Sequence, residues 1–364
     1  MKVAIVGCGQ LSRMMALAGI PLGVEFCFIK DDLSQDNRCI NELGSIHDIP
    51  QNWQDAQQLQ QWWQSLGNPD VITVEKEQVD IAFIRALNQL CPVYPNPDAI
   101  AVCQNRHNEK KTLAHLGIDS AAFVFEQSAA VVETQIGLPM VAKSCTEGYD
   151  GKNQWVLRNN ADVEAFDASE HSNFIIEAFI PFQREVSQVS ARDKQGNIKH
   201  YPITENVHQN GILKRSIAPA PGISQALTKA AQEAMEKLLV EMDYVGVLAI
   251  EFFDVNGRLM VNELAPRVHN SGHWTQLGSL TCQFENHVRA ITGQALGDVG
   301  ILGKAGMFNL IGNPLPDTHS LSAAAKLNWY NKTVKPNRKL GHINCIADSY
   351  ERLNSLLDDI DSKV

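Results

Sequence analysis

The sequence predicts an α/β protein whose N-terminal part is a doubly wound parallel sheet. Apolar strand segments alternate with helical segments over the first 94 residues, a pattern typical of a parallel sheet covered by helices. Further along, a predicted hairpin carries one carboxylate in each strand, and the last part of the chain changes to short strands and proline-bearing turns. We therefore expect three domains, at residues 1–98, 99–298 and 299–364.

Composition excludes several classes of protein. The 364 residues provide ample length for large cores, and 44% hydrophobic with 20% charged residues is ordinary for a globular protein. The net charge of −10 argues against a nucleic-acid binder, whose surface would be basic. No apolar run approaches the about 18 residues of a membrane span, and the N-terminus opens directly into a strand rather than a signal peptide. The eight cysteines are scattered without a CxxC pair, which predicts neither zinc nor disulfides and indicates the reducing cytoplasm.

The N-terminal sheet is predicted from elements that alternate in order. The predicted strands are 2–6, 25–29, 71–74 and 93–94, and the predicted helices are 11–18, 53–66 and 81–90. Pro92, Pro95 and Pro97 then mark a boundary near residue 98.

The first strand leads into Gly7-x-Gly9-x-x-Ser12, which resembles an incomplete dinucleotide-binding fingerprint. Its third glycine is absent, and Lys30 rather than an acidic residue ends the second strand, so the motif is weak evidence for NAD. Backbone N–H groups at such a turn bind any phosphate, and we expect the phosphate of a small substrate here. Glu75 ends the third strand, at the edge where open sheets bind ligands, although a solvated loop acid is the alternative.

The central segment carries a lysine and a glycine-containing loop that are typical of a nucleotide site. A helix is predicted at 99–116, and Lys143 later ends an apolar strand, which places its stem in apolar surroundings. The next loop contains Gly148 and Gly151, and such a loop between two strands suits a flap over nucleotide phosphates, with an ordinary hairpin loop as the alternative. Strands at 174–181, 185–190 and 201–208 and an amphipathic helix at 223–242 complete this segment.

Two carboxylates in the predicted hairpin indicate a metal site. Apolar runs at 247–253 and 259–264 flank a turn at 254–257, and Glu251 and Glu263 interrupt their apolar patterns. Two carboxylates on one buried face repel unless a cation lies between them, and a small number of oxygen ligands suits Mg²⁺ that keeps its own waters and substrate phosphates. The alternative is that Glu251 pairs with a structural arginine or lysine.

The length of the turn decides whether these carboxylates share a face, because strand side chains alternate. A two-residue Asn-Gly turn would pair Glu251 with Asn262 and send Glu263 to the opposite face. A three-residue loop at 255–257, with its glycine left-handed, would pair Glu251 with Val261. It would place Glu263 diagonally on the same face, about 7–8 Å away between backbones. We predict the three-residue loop.

Basic side chains follow the hairpin and recur near the C-terminus. Arg267, His269 and a second imidazole come directly after the second strand. The loop at 329–339 holds four cations in an acidic protein, which indicates a phosphate or carboxylate site, with a solvated basic face as the alternative. The tail around this loop is predicted from a helix at 283–291, strands at 306–311, 324–330 and 341–346, and a helix at 350–357.

Five motifs, in order along nearly the whole chain, resemble one family of ATP-dependent enzymes. They are GxGQLxRM at 7–14, TVExE at 73–77, GYDGKxQ at 148–154, PRVHNSGHWTQ at 266–276 and PxRKxGH at 336–342. Together they are similar to the N5-carboxyaminoimidazole ribonucleotide synthetases of the ATP-grasp superfamily. The resemblance implies a Rossmann-like pre-ATP-grasp domain at 1–98, an ATP-grasp domain at 99–298 with a lid lobe at about 120–178, and a β-rich C-terminal domain at 299–364.

The resemblance also implies an activity. It is the ATP- and bicarbonate-dependent carboxylation of 5-aminoimidazole ribonucleotide (AIR) through carboxyphosphate, with release of ADP and phosphate, in purine biosynthesis. The implied cofactors are ATP and one or two Mg²⁺ ions, with Mn²⁺ as a substitute. A cytoplasmic homodimer is implied, without nucleic-acid or membrane partners, and it passes its product to a separate mutase.

Residue roles are carried over from the same motifs. The implied phosphate grip and lid are Arg106, Lys143, Gly148, Tyr149, Asp150, Gly151, Lys152, Asn153 and Gln154. The implied adenine connector is Glu177, Ala178, Phe179 and Ile180, and the ribose side is Glu185 and His208. The implied Mg²⁺ ligands are Glu251 and Glu263, helped by Asn262.

The substrate side and the chemistry are implied in the same way. The phosphate of AIR would meet Gln10, Leu11, Lys332, Arg338 and Lys339, and Glu75 would face its amine or ribose side. The charge of carboxyphosphate would be stabilised by Lys143, Arg267 and His269, while Tyr149 and Asp150 would orient bicarbonate and the amine. Ser12, Glu147 and Asn153 stand where members of the family often have glycine.

Three other functions compete with this one. The nearest is a formate-dependent glycinamide ribonucleotide transformylase, another ATP-grasp ligase, which the wording of the motif at 266–276 disfavours. An NAD-dependent dehydrogenase rests only on Gly7-x-Gly9. A catalytically silent nucleotide sensor is disfavoured because Lys143, Glu251, Glu263 and Arg267 are all present.

Overall fold

The computed structural model describes residues 1–31, 36–146, 153–169 and 171–364. Its N-terminal elements are β1 (Lys2–Val6), α1 (Gln10–Gly19), β2 (Glu25–Lys30), β3 (Ser45–Asp48), α2 (Ala56–Ser65), β4 (Val71–Val74), α3 (Ile81–Leu87) and α4 (Pro97–Gln104). The strands pair in parallel in the order β3-β2-β1-β4, and Val93 adds a parallel bridge to Ile72. The predicted parallel sheet is confirmed, although β3 was not predicted.

Both faces of this sheet are covered, which is the doubly wound arrangement. Val3 of β1 packs in the same cluster as Met15 of α1, whereas the next residue, Ala4, packs in the cluster of Phe83 from α3. Because strand side chains alternate between faces, an uninterrupted apolar strand such as β1 needs a helix on each side.

A smaller antiparallel sheet follows, which we call the lid sheet. The elements of this segment are α5 (Arg106–His115), β5 (Phe123–Phe125), α6 (Ala129–Ile136), β6 (Met140–Ser144), β7 (Gln154–Leu157), α7 (Asn160–Asp167) and β8 (Phe174–Ala178). The strand order is β5-β8-β6-β7. The single helix predicted at 99–116 is instead α4 and α5, because Asn105 between them is extended and its side chain caps α5 by accepting hydrogen bonds from His107 N and Asn108 N.

The rest of the chain builds one large sheet. Its elements are β9 (Arg184–Arg192), β10 (Ile198–His200), β11 (Thr204–Gln209), β12 (Ile212–Ala218), α8 (Gln225–Glu241), β13 (Gly246–Val255), β14 (Arg258–Ala265), α9 (Thr275–Gly278), α10 (Gln283–Thr292), β15 (Lys304–Ile311), β16 (Ala325–Trp329), β17 (Lys339–Ala347) and α11 (Tyr350–Asp361). The order is β14-β13-β9-β11-β12-β15-β17-β16, with β10 beside β9. Pairing of β12 with β15 carries the sheet across the predicted boundary at 298/299. The basic loop at 329–339 is therefore connected to the same sheet as the hairpin. The domain boundaries themselves stay predictions.

Short 3-10 helices lie between these elements, at Ile20–Leu22, Arg38–Ile40, Asn270–Gly272 and Thr318–Ser320. Within the described ranges, none of the helices is both long and apolar enough to cross a membrane.

The turn of the hairpin differs from the prediction. Val255 pairs with Arg258, so the turn is the two-residue Asn256-Gly257, with φ of 53° and 79° at these residues as a type I′ turn requires. The predicted three-residue loop is wrong. Glu263 nevertheless reaches the face of Glu251, because the register shifts by one residue between Glu251 and Phe252.

Candidate active site

A cavity of about 1010 Å³ lies where the lid sheet, the hairpin, the carboxyl edge of the parallel sheet and the basic loop meet. Most of the residues predicted for the site line it, namely Gln10, Leu11, Glu75, Arg106, Lys143, Asn153, Gln154, Glu177, Ala178, Phe179, Ile180, Glu185, His208, Glu251, Asn262, Glu263, Arg267, His269, Lys332 and Lys339. The predicted lid residues Gly148, Tyr149, Asp150, Gly151 and Lys152 lie outside the described residues, as does Glu147.

The two glutamates of the hairpin face each other directly. Glu251 of β13 is the registered partner of Glu263 of β14, and the bulge that brings this about leaves Asn262 as the extra residue. Burial, and then the facing Glu263 carboxylate, raise the pKa of Glu251 to about 7. A cation placed between the two carboxylates would remove that repulsion, so this donor set fits a divalent metal ion.

The imidazole of His269 lies beside this pair. Its Nε2 is 3.6 Å from Oε1 of Glu251, and its Nδ1 is 2.9 Å from the hydroxyl of Ser271. Burial and the nearby Arg267 cation hold the pKa of His269 well below its usual range. The side chain can therefore donate a hydrogen bond to a developing anion without carrying a charge of its own.

Lys143 is fixed by a buried carboxylate that belongs to the predicted adenine connector. Glu177 at the end of β8 is 2.9 Å from Nζ of Lys143 and 3.2 Å from Nζ of Lys110. Although burial alone would raise it, the two ammonium groups lower the pKa of Glu177 to about 2. Lys143 also donates to Oδ1 of Asn262 at 3.4 Å, which joins the lid sheet to the hairpin.

Arg106 makes a second connection between the same two parts. It is the first residue of α5, where its Nη1 donates to the carbonyl of Ser144 at 2.9 Å. Its Nη2 is 3.5 Å from Oε2 of Glu263. One guanidinium thus touches both the end of the lid strand β6 and a candidate metal ligand, and a guanidinium is a group that binds phosphate oxygens bidentately.

Another part of the cavity lining is apolar and includes a polar pair. Phe182 stacks on Phe253 with ring centroids 4.5 Å apart and an interplanar angle of 8°. Leu213 of the unpredicted strand β12 lines the same region. Nearby, Nδ1 of His208 is 2.7 Å from Oε2 of Glu185, and this contact raises the pKa of His208 despite its burial. An apolar slot beside a polar pair can accept a heterocyclic base together with its sugar.

Glu75 occupies the glycine turn at the other end of the cavity. Its carboxylate accepts hydrogen bonds from Gly9 N at 2.6 Å and from the N–H and hydroxyl of Ser12 at 3.1 and 3.0 Å. A Cβ on Gly7, whose φ is +121°, would lie 2.2 Å from Cγ of Glu75. These glycines are therefore explained by the close approach of a carboxylate, which removes the reason to infer a dinucleotide pyrophosphate there.

The basic loop divides into cavity-lining and bracing cations. Nζ of Lys332 donates to Oε1 of Gln10 at the start of α1, and Lys339 also lines the cavity. Nη1 of Arg338 instead donates to Oδ2 of Asp36 at 3.2 Å and to the carbonyl of Thr333 at 3.0 Å. Arg338 is not among the cavity-lining residues in the described chain, and it braces the loop that carries the two lysines.

Sequence reasoning missed two charged residues of the site. Lys110 lies four residues after Arg106 on the predicted helix at 99–116, but only its contact with Glu177 reveals its place. Glu77 belongs to the TVExE motif without an assigned role, yet its Oε2 accepts a hydrogen bond from Nε of Arg267 at 2.6 Å. The signal that was available in the sequence is that Glu77 lies two residues after Glu75, in the same motif.

The large cavity lies between a small antiparallel lid sheet and a larger sheet. Lysine and arginine side chains that can bind phosphate line it, together with two facing carboxylates. This combination of fold and site defines the protein as an ATP-grasp ligase. Family models match in the same order along the chain, as the ribonucleotide synthetase preATP-grasp domain at residues 1–104, the ATP-grasp domain at 111–284 and the phosphoribosylaminoimidazole carboxylase C-terminal domain at 305–355. The chain belongs to the N5-carboxyaminoimidazole ribonucleotide synthase family of purine biosynthesis. The family resemblance seen in the motifs is confirmed.

Individual relatives support this membership. The N5-carboxyaminoimidazole ribonucleotide synthase of Pseudomonas aeruginosa is 40% identical, with 100% of this chain and 99% of that protein covered. The crystal structure of the synthetase from Thermus thermophilus is 37% identical, with a TM-score of 0.90 over 100% of this chain and 98% of that chain. The Aspergillus clavatus enzyme in complex with ADP and 5-aminoimidazole ribonucleotide is 28% identical, with a TM-score of 0.85 over 99% and 98%.

Proposed function

We propose that this chain carboxylates AIR with ATP and bicarbonate through carboxyphosphate, with release of ADP and phosphate. The observation that carries the proposal is the direct opposition of Glu251 and Glu263 in a cavity that also holds Lys143, Arg267 and His269. Family membership supports the overall reaction, and the complex of the Aspergillus clavatus relative with ADP and AIR supports two ligands in one protein.

The ATP would lie between the lid sheet and the hairpin. The adenine fits the apolar wall made by Phe179, Ile180 and the Phe182–Phe253 stack, and the ribose hydroxyls fit Glu185 beside His208. The phosphates would then extend toward Arg106, Lys143, Asn153 and Gln154, where two cations already bridge the two sheets.

The metal site supports Mg²⁺, with Mn²⁺ as a substitute. Glu251 and Glu263 would hold the ion, and the side-chain oxygen of Asn262 is adjacent to them. Bound there, the ion would offset negative charge on the γ-phosphate and on bicarbonate.

AIR would lie across the cavity with its phosphate at the start of α1. Gln10 and Leu11 line this end, and Lys332 and Lys339 supply positive charge opposite them. Since the carboxylate of Glu75 is already hydrogen-bonded to Gly9 and Ser12, we place it in contact with the ribose and amine side of AIR.

The chemical centre lies between these two ligands. Phosphorylation of bicarbonate gathers negative charge beside Arg267, while the neutral imidazole of His269 can donate a hydrogen bond to it. The amine nitrogen of AIR then attacks the carboxyl carbon of carboxyphosphate, or CO₂ released from it in place. Phosphate leaves, the amine loses a proton, and a carbamate remains. Exclusion of water is required because carboxyphosphate hydrolyses.

We further propose that the enzyme works as a homodimer in the cytoplasm and passes the carbamate to a separate mutase. These proposals rest on family analogy, together with the scattered cysteines, all eight of which are free thiols.

The proposed function is tested by phosphate release with Mg²⁺-ATP and bicarbonate, with and without AIR. Release should require AIR and should fall at least about a hundredfold in Glu263→Gln, because one metal carboxylate is lost. Asp98→Asn is the matched control, since it neutralises an exposed carboxylate whose ion pair in the described part of the chain is with Arg85. Release triggered instead by formate with glycinamide ribonucleotide would move the assignment to the transformylase. Absence of release with either acceptor would overturn the proposed reaction.

A further inference from the structure

The guanidinium of Arg267 is held by a carboxylate from a distant part of the chain. Oε2 of Glu77, in the segment after β4 of the parallel sheet, lies 2.6 Å from Nε of Arg267, which follows β14 of the large sheet. The side chains are 16% and 18% exposed, so the pair is largely shielded from solvent. Nη1 of Arg267 also donates to the carbonyl of Val268 at 3.3 Å. Among the described residues, Nε and Nη1 are thus both engaged by protein.

The segment that carries Glu77 is itself tied down. Val79 N donates to the carbonyl of Glu77 at 2.9 Å, and Nε2 of Gln104 donates to the carbonyls of Glu77 and Val79 at 3.1 and 2.7 Å. Two residues earlier, the Glu75 carboxylate is bonded to Gly9 and Ser12 at the start of α1. A short, braced segment therefore connects the start of α1 to the guanidinium of Arg267.

We propose that Glu77 is a positioning residue that orients the guanidinium of Arg267 toward the reacting carboxyl group. Through its backbone segment, Glu77 also connects Arg267 to the part of the cavity that is proposed to bind the ribonucleotide. The inference deepens the proposed function and rests on it for the identity of the two ligands. Arginine has a long side chain with several rotatable bonds, and a charge-assisted hydrogen bond to Nε selects one of its orientations. Glu77 itself acts through Arg267 rather than on the substrate.

This arrangement predicts a specific kinetic signature. Misplacement of a charge-stabilising group by about 1 Å costs on the order of a hundredfold in rate, while substrate affinity depends on other contacts. Glu77→Gln should therefore lower kcat for AIR-dependent phosphate release about 10- to 100-fold. KM for ATP and the Kd for ADP should stay within about twofold of wild type, because Arg106, Lys143 and Glu185 are untouched.

The test is a double-mutant cycle with Arg267→Lys. If Glu77 acts through Arg267, Glu77→Gln should have almost no further effect on kcat in the Arg267→Lys background. Glu77→Asp keeps the charge with a shorter reach and should retain more activity than Glu77→Gln; it replaces Glu77→Gln in the cycle if that variant does not fold. Equal losses in the two backgrounds, or a wild-type kcat in Glu77→Gln, would overturn the proposal. Asp98→Asn again serves as the control carboxylate and should leave kcat unchanged.

A second readout does not depend on turnover. Phenylglyoxal reacts with the deprotonated guanidinium, so loss of the neighbouring carboxylate should raise the rate at which Arg267 is modified several-fold. The adduct is measured by peptide mass spectrometry of the folded protein. An unchanged rate at Arg267 in Glu77→Gln would contradict the proposal even if AIR proved to be the wrong acceptor. If wild type shows no AIR-dependent release while the rate at Arg267 rises, the proposed function fails, and what stands is that Glu77 holds the guanidinium of Arg267.

Discussion

Glu177→Gln is expected to destabilise the protein strongly, because Glu177 is the shared counter-ion of two buried lysines. The side chains of Lys110, Glu177 and Lys143 are 1%, 5% and 10% exposed, so solvent screens none of them appreciably. The pKa of Glu177 falls from 4.5 to about 2, which corresponds to about 3 kcal/mol of folding free energy at neutral pH. Removal of the carboxylate charge leaves two buried ammonium groups without a counter-ion, and breaking a buried ion pair in this way costs about 3–5 kcal/mol.

The comparison with Lys110→Met makes this prediction sharper. That change leaves a one-to-one pair of Glu177 and Lys143, so it should cost much less than Glu177→Gln. The double variant buries one ammonium fewer than Glu177→Gln and should recover at least about 1 kcal/mol. The assay is urea unfolding at pH 7, followed by circular dichroism and tryptophan fluorescence.

Glu164→Gln is the matched control, since Glu164 is an exposed glutamate in α7 beside the lid sheet and should change stability by less than about 0.5 kcal/mol. A loss below about 1 kcal/mol in Glu177→Gln, or a larger loss in Lys110→Met, would refute the reasoning. The same carboxylate contributes its full stabilisation above pH 4.5, and that contribution is lost as the pH falls through 2.

Two further predictions concern buried polar contacts. The pKa of buried His287 falls from 6.5 to about 4, so its share of stability is complete above pH 6.5 and about 3 kcal/mol is lost as the pH falls to 4. Urea unfolding between pH 4 and 7 should show a shallower pH dependence in His287→Gln, and equal slopes would contradict this. Gly7→Ala should cost about 1–3 kcal/mol and raise KM for AIR, because the added Cβ meets Glu75. Gly23→Ala also has a positive φ but open space around it, so thermal melting should show a smaller loss there, and equal losses would exclude the clash as the cause.

The pattern of apolar and polar residues along the chain predicted much of the fold correctly, because it shows which side chains are buried. The uninterrupted apolar run of β1 needed helices on both faces, and the amphipathic helix expected at 223–242 is α8 at Gln225–Glu241. Strand β12, with its mixed sequence, was not predicted. Its place is determined by pairing with a strand far away in the chain, β15.

The candidate site was likewise predicted in part from the sequence. The sequence singled out Lys143, Arg267 and the hairpin glutamates as candidates, since charged residues within or directly after apolar strands stand out against their surroundings, and the structure places all of them on one cavity. It did not reveal that Glu77 holds Arg267, or that Glu177 holds Lys143 together with Lys110, because a carboxylate near an arginine or a lysine in space leaves no mark in the spacing along the chain.

The hairpin shows the physical reason most clearly. The sequence alone indicated a turn at 254–257, because Asn256 and Gly257 tolerate the positive φ that they adopt, and one carboxylate in each flanking strand, but it left the length of the turn open. The one-residue bulge that makes Glu251 face Glu263 was decided by tertiary contacts at the outer edge of β14. There Val261 N donates to the carbonyl of Asp119 at 2.7 Å, and Leu264 N donates to the buried Glu109 carboxylate at 2.9 Å. These bonds come from segments more than a hundred residues earlier and lie on either side of Asn262, so the register depends on the assembled fold.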